Sequence, residues 1–234
     1  MFEHLFARHD GLDILRLALA GSSAAVALVY LRFVGVPSSR MRTALKTLTV
    51  GALTLLPLTY IGGGSNTGVL MLLALALSLC ALGDFFLALE DQGRFFVPGL
   101  ASFLAGHIAY VAVMLPFAGI PHGASLAIAL VVLGAAATLV AWLLPVLGRM
   151  RSPVLAYFCV IMVMVATALS VPAASWALGA GAVLFAISDS LIAVRKFAQP
   201  FPYIDAAVWI TYVLAQFMIV ASLLAVIVPA GYPS

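Results

Sequence analysis

Eight apolar runs of about twenty residues, each long enough to cross the hydrocarbon core of a bilayer as a helix, follow one another along the chain. They lie near 13–34, 44–61, 67–89, 95–118, 124–147, 153–171, 174–195 and 205–228. The connections, "GVPSSRMR", "GGGSNTG", "EDQGR", "GIPHG", "GRMRS", "VPAAS" and "KFAQPFPY", are short and rich in turn residues, and they leave no space for a second domain. In lipid every backbone amide must be satisfied within the protein, so apolar runs of this length become helices. Composition agrees: 65% of residues are hydrophobic, 8% are charged, and the mean hydropathy is +1.21. The expectation is an all-α, polytopic integral membrane bundle of about eight transmembrane helices, forming one domain over residues 1–234. Any chemistry must sit inside the bundle or at its mouths.

The basic residues sort by loop. Arg32, Arg40, Arg42 and Lys46 flank the first connection, Arg94 the third, Arg149 and Arg151 the fifth, and Arg195 and Lys196 the seventh. The second, fourth and sixth carry no Lys or Arg, which makes the odd connections cytoplasmic and puts both termini on the other side. A net charge of +3 is thus a topology signal, not a mark of nucleic-acid binding. The expected location is a bacterial inner (cytoplasmic) membrane. The opening "MFEHLFARHDGLD" mixes acids and histidines where a signal peptide has a clean basic region, and reads as a short retained segment. Cys80 and Cys159 fall within apolar runs and read as small buried side chains rather than a disulfide.

Two acids interrupt the apolar runs at equivalent depth. Asp84, in "LSLCALGDFFLALE", and Asp189, in "GAVLFAISDSLIAVRKF", each lie about five residues from the end of a run. Runs four apart point the same way, so both carboxylates approach the cytoplasmic leaflet, roughly 8 Å inside their helix ends. Insertion of a carboxylate at such depth costs about 2.5 to 3.5 kcal/mol, so each should face the bundle interior or a polar cavity. One such acid reads as a structural hydrogen-bonding group. Two at matching depth favour a working pair, because neighbouring carboxyls can divide the parts of acid and base.

Polar side chains follow each acid at helical spacing. Phe103, His107 and Tyr110 share one face of the run at 95–118, and Asp205, Trp209, Tyr212 and Gln216 share one face of the last run. Their position directly after the Asp-bearing runs points to a polar cavity rather than to packing alone. Lys46, near the membrane surface, is read as a snorkelling side chain. Arg195 and Lys196 either hold a lipid phosphate or simply obey the charge rule. No His/Cys cluster has zinc-ligand spacing and no Gly-rich phosphate cradle is present, so acid/base chemistry by carboxylates is expected, with no metal and no cofactor. The alternative from another class is a small proton- or cation-coupled transporter or lipid-handling protein, in which the same acids bind the ion.

"GDFFLAL" with "FLAGHIAY" downstream, and "GAVLFAISDSLIAVRKF" followed by "TYVLAQFMI", resemble the YhhN-type lysoplasmalogenase family of multispan membrane proteins. The resemblance covers most of the second to eighth runs. One departure is that Lys46 is followed by Thr47, where the family often has Lys-Pro. The resemblance implies hydrolysis of the vinyl ether bond of lysoplasmalogens to a fatty aldehyde and glycerophospho-ethanolamine or -choline. A lysophospholipid, water and membrane lipids are then the partners. The two-carboxylate reading fits this chemistry: Asp84 and Asp189 are the catalytic pair, with acid and base unassigned between them. On this reading His107, Tyr110, Tyr212 and Gln216 would position the water and the glycerol, and the headgroup would lie near Arg195 and Lys196.

Overall fold

The computed structural model describes residues 3–8, 10–62, 66–90, 92–172 and 176–228. After a four-residue turn of helix, α1 (Glu3–Phe6), come eight long helices: α2 (Asp13–Tyr30), α3 (Arg40–Leu55), α4 (Thr67–Ala88), α5 (Gln92–Met114), α6 (Gly123–Leu143), α7 (Arg151–Leu169), α8 (Trp176–Phe197) and α9 (Ile204–Ile227). Each of the eight runs carries one of the eight long helices, with shifted bounds, and the described residues are all-α. Among the described residues, seven segments, all but the one carrying α3, are long and apolar enough to cross a membrane. The protein is an integral membrane protein.

The helix of the second run, α3, is sixteen residues long and starts and stops on identifiable signals. Ser39 Oγ accepts a hydrogen bond from the backbone N–H of Arg42 at 3.2 Å, capping one of the free amides of the first turn. Pro57, which has no N–H to continue the ladder, opens a tighter 3₁₀ turn over Pro57–Tyr60. The sequence expectation of one continuous helix over 44–61 is therefore replaced by an earlier start and an earlier stop.

Backbone contacts gather the chain into two units, Met1–Val113 with Val220–Ser234, and Met114–Ile219. In the first, α2 packs on α3 and α3 on α4. A buried hydroxyl stitches the first of these interfaces: Ser23 Oγ of α2 donates to the carbonyl of Thr49 at 2.5 Å. Helices α4 and α5 meet at a notch, where a Cβ on Gly83 would stand 2.6 Å from the ring of Phe103. Small residues permit such approach where lipid supplies no hydrophobic drive between helices.

The N-terminal side of this unit holds a buried cation. Arg16, 1% exposed, donates to both carboxylate oxygens of Asp10 (2.8 and 2.7 Å), to Asp13 (3.0 Å), and to the hydroxyl (3.1 Å) and carbonyl (2.7 Å) of Thr59. Its guanidinium stacks 4.2 Å above the ring of Tyr60, whose hydroxyl donates to the carbonyl of Leu5 at 2.6 Å. The hydrogen bond from Arg16 holds the Asp10 carboxyl down to about 2, against the opposing cost of burial.

In the second unit, α7 packs on both α6 and α8. Leu143, Leu147 and Val154 form a small core at one end. Apart from Ala136 and Leu143, α6 buries none of its side chains, as suits a helix whose sides face hydrocarbon. Helices α8 and α9 approach closely at Gly181, where a Cβ would meet Met218 and Ile219 at 3.0 Å and the carbonyl of Ala215 at 3.2 Å. Neither Cys80 nor Cys159 is in a disulfide; Cys80 is buried as expected, whereas Cys159 is exposed, because it lies on the outward face of α7.

Candidate functional site

Asp84 lies one turn before the end of α4 and is 1% exposed. Its charge is met from the neighbouring helix: Lys46 Nζ of α3 stands 3.3 Å from Asp84 Oδ1. The lysine is 13% exposed, so its ammonium is turned into the α3/α4 interface and does not snorkel to the surface. This corrects the reading of Lys46, and the physical reason is where α3 begins. Starting at Arg40, the helix carries Lys46 about 9 Å inward, to a depth comparable with that of Asp84 on its partner. Opposite charges at equal depth on adjacent helices were the signal that sequence reading passed over.

Helix α5 presents its polar face to the same region. Phe103 sits against Gly83, the residue before Asp84, and His107 and Tyr110 continue that face by one and two turns. Both are fully buried. The first unit thus brings Asp84, Lys46 and Phe103 together at the C-terminal half of α4, with His107 and Tyr110 farther along the same face of α5.

The Lys46–Asp84 pair carries a stability prediction. Lys46→Met keeps the apolar stem but removes the ammonium that faces a buried carboxylate, a change that costs about 3 to 5 kcal/mol. The double variant K46M/D84N is expected to recover much of that loss when unfolding is followed in detergent. Equal losses in single and double variants would assign the effect to packing of the lysine stem instead of to charge.

Asp189 lies on α8 in the second unit, half-buried. Tyr157 of α7 donates its hydroxyl to Asp189 Oδ2 at 2.7 Å. Nothing in the run at 153–171 marked Tyr157, because a tyrosine in an apolar span reads as packing. One turn before Asp189, Phe185 makes an edge contact with Tyr212 of α9, ring centres 5.3 Å apart, and Trp209 lies 6.0 Å from the same ring. Ser188 Oγ donates to the carbonyl of Val208 at 3.1 Å, fixing α8 against the first turns of α9. Gln216, one turn beyond Tyr212, is fully buried. The second unit therefore pairs Asp189 with Tyr157, and one turn away sets Phe185 against the α9 face that bears Trp209, Tyr212 and Gln216.

Arg195 and Lys196 close α8. Arg195 is ion-paired through Nη1 with Asp205 Oδ1, at the start of α9. Lys196 is exposed. Asp205, grouped by sequence with the aromatic stripe, is thus the carboxylate partner of Arg195. Among the described residues no three His, Cys, Asp or Glu side chains converge in the manner of a metal centre.

Comparison with known proteins gives a consistent family. The YhhN family matches residues 41–223. A protein of Mycobacterium bovis named lysoplasmalogenase is 33% identical over 150 residues, which are 62% of this chain and 58% of that protein. The human lysoplasmalogenase TMEM86B is 35% identical over 162 residues, 69% of this chain and 67% of that one, and the bovine lysoplasmalogenase TMEM86A is 35% identical over 151 residues, 61% and 60%. The chain spans less than two thirds of the mycobacterial relative's length. No solved structure matches.

Proposed function

The chain belongs to the YhhN family, and from that premise we propose that it hydrolyses the vinyl ether bond of lysoplasmalogens, with Asp84 and Asp189 as its catalytic carboxylates. The observation that carries the proposal is Asp84 itself, a carboxylate 1% exposed inside an apolar span and held there by a lysine. Retaining such a group against its insertion cost is what a reaction site asks of a membrane helix. Asp189 is supported from within its own unit by the hydroxyl of Tyr157. Names given to relatives in bacteria and mammals favour hydrolysis over the ion-coupled transporter.

The chemistry needs three things from the chain. An acid protonates the vinyl carbon distal to the ether oxygen; the resulting oxocarbenium ion is stabilised by a carboxylate; and water, relieved of a proton, adds to the cationic carbon. The hemiacetal so formed collapses to the aldehyde and the glycerol alcohol. An ion-paired carboxylate such as Asp84 suits the stabilising part, since it presents fixed negative charge in a region shielded from water. His107, Tyr110, Tyr212 and Gln216 are proposed to position water and glycerol, and Arg195 and Lys196 to meet the headgroup. Arg195 would do so with Asp205 as its resting partner. The charge pattern supports a cytoplasmic membrane location, bacterial inner membrane in kind, with both termini on the far side.

The test is release of fatty aldehyde from lysoplasmenyl-ethanolamine by the purified protein, read by mass spectrometry. Run in D₂O and trapped at once by reduction, the product is expected to carry one deuterium at the carbon next to the former aldehyde, from the protonation step. Aldehyde without that deuterium would remove the oxocarbenium route, and no aldehyde at all would remove the activity.

A further inference from the structure

A groove of about 720 Å³ runs within the first unit, between the N-terminal half of α3 and the C-terminal end of α4. Its walls are of two kinds. Leu48, Phe85 and Leu89 supply an apolar side, and Leu48 (56%) and Phe85 (39%) stay open to the surroundings. Arg40 and Glu90 supply the polar end, with the Thr43 hydroxyl beside them. Both charged side chains are exposed, and neither has an ion-pair or hydrogen-bond partner among the described residues. This contrasts with Arg42, two residues on, which donates to the carbonyl of Ala88 at 3.2 Å.

The chemistry of such a groove is specific. A basic and an acidic side chain at one end of an apolar channel complement a ligand that carries both charges close together on a single chain. A phosphate with no amine would satisfy Arg40 and be repelled by Glu90, so the unpaired acid acts against purely anionic headgroups. Guanidinium groups suit phosphate oxygens, and a carboxylate suits an ammonium. The apolar wall, open along one side, accommodates one alkyl chain lying in the bilayer.

We propose that this groove is a second headgroup subsite, additional to the one proposed at Arg195 and Lys196, for zwitterionic, single-chain glycerophospholipids, with Arg40 on the phosphate and Glu90 on the ethanolamine or choline nitrogen. The inference rests on the hydrolytic reading only in naming the occupant as a lysolipid. Phe85 follows Asp84 directly and Thr47, also on the groove wall, follows Lys46, so a chain held here runs alongside the helices that carry the ion pair.

The probes are two saturated 1-O-alkyl lipids that contain no vinyl ether and cannot be cleaved, one a glycerophosphoethanolamine and the other a glycerophosphate. Binding to the full-length protein in detergent is measured by native mass spectrometry. The wild type is expected to favour the ethanolamine probe by about tenfold, Glu90→Gln to lose most of that preference, and Arg40→Ala to weaken both probes by about tenfold. Arg40→Lys, expected to recover part of the affinity, separates loss of charge from misfolding. A wild-type preference retained in Glu90→Gln, or wild-type affinity in Arg40→Ala, would overturn the assignment. Because these probes report binding without turnover, failure of aldehyde release from vinyl ether substrates would overturn the activity and leave the groove standing, and the converse also holds.

Discussion

Asp84→Asn and Asp189→Asn are each expected to lower aldehyde release by about a hundredfold or more, the range over which a positioned proton-transfer or charge-stabilising group acts. The amide keeps the shape of the carboxyl and removes its proton chemistry and its charge. In Asp189→Asn the hydroxyl of Tyr157 still finds an oxygen acceptor, and in Asp84→Asn the ammonium of Lys46 lies on a flexible, partly exposed stem that can turn toward water. Both variants should therefore fold. The loss should fall on kcat with KM for the lysolipid little changed, which is the mark of an interaction made in the transition state and not in the ground state. Near-normal turnover in both folded variants would remove the carboxylates from the mechanism. A rise in KM alone would move them into binding.

Arg16→Met should cost the protein about 3 kcal/mol of stability without touching either carboxylate site. The guanidinium joins two acids, a backbone carbonyl and an aromatic face, and methionine can replace only the apolar part of the stem. Lysine should rescue little, because the bidentate contact with Asp10 needs the planar fork. The pH dependence follows in sign. Asp10 is held down to about 2 against its usual 3.8, so its contribution is complete above pH 3.8 and is lost as pH falls toward 2. Unfolding in detergent between pH 5 and 2 should thus weaken the wild type more than Arg16→Met. Parallel curves would sink this account of the network.

Much of the fold was legible because a bilayer leaves so little choice. Apolar length dictates a helix, and turn residues with a proline such as Pro57 mark where it stops. Asp84 and Asp189 stood out for the same reason, as charges where charge is costly. Their partners did not. Which side chain meets a buried acid depends on how each helix is rotated about its axis, and in a uniformly apolar span the pattern of residues says little about rotation. Tyr157 was hidden in this way. Lys46 was hidden by a boundary: with α3 taken to begin near residue 44 it lay at the surface, and with the helix beginning at Arg40 it lies more than a turn inside. Arg195 was legible as a cation but not as the partner of Asp205, because the "KFAQPFPY" turn that brings them together has no periodic signature.

The ion pair between Lys46 and Asp84 also bears on how the chain enters the membrane. During synthesis α3 emerges before α4, short and carrying Arg40, Arg42 and Lys46, and among the described residues it is the long helix outside the seven that are long and apolar enough to cross. Alone at the translocon it would bring an uncompensated ammonium into hydrocarbon. Its counter-charge arrives only with the last turns of α4, so the two segments are expected to partition into lipid together, as a hairpin.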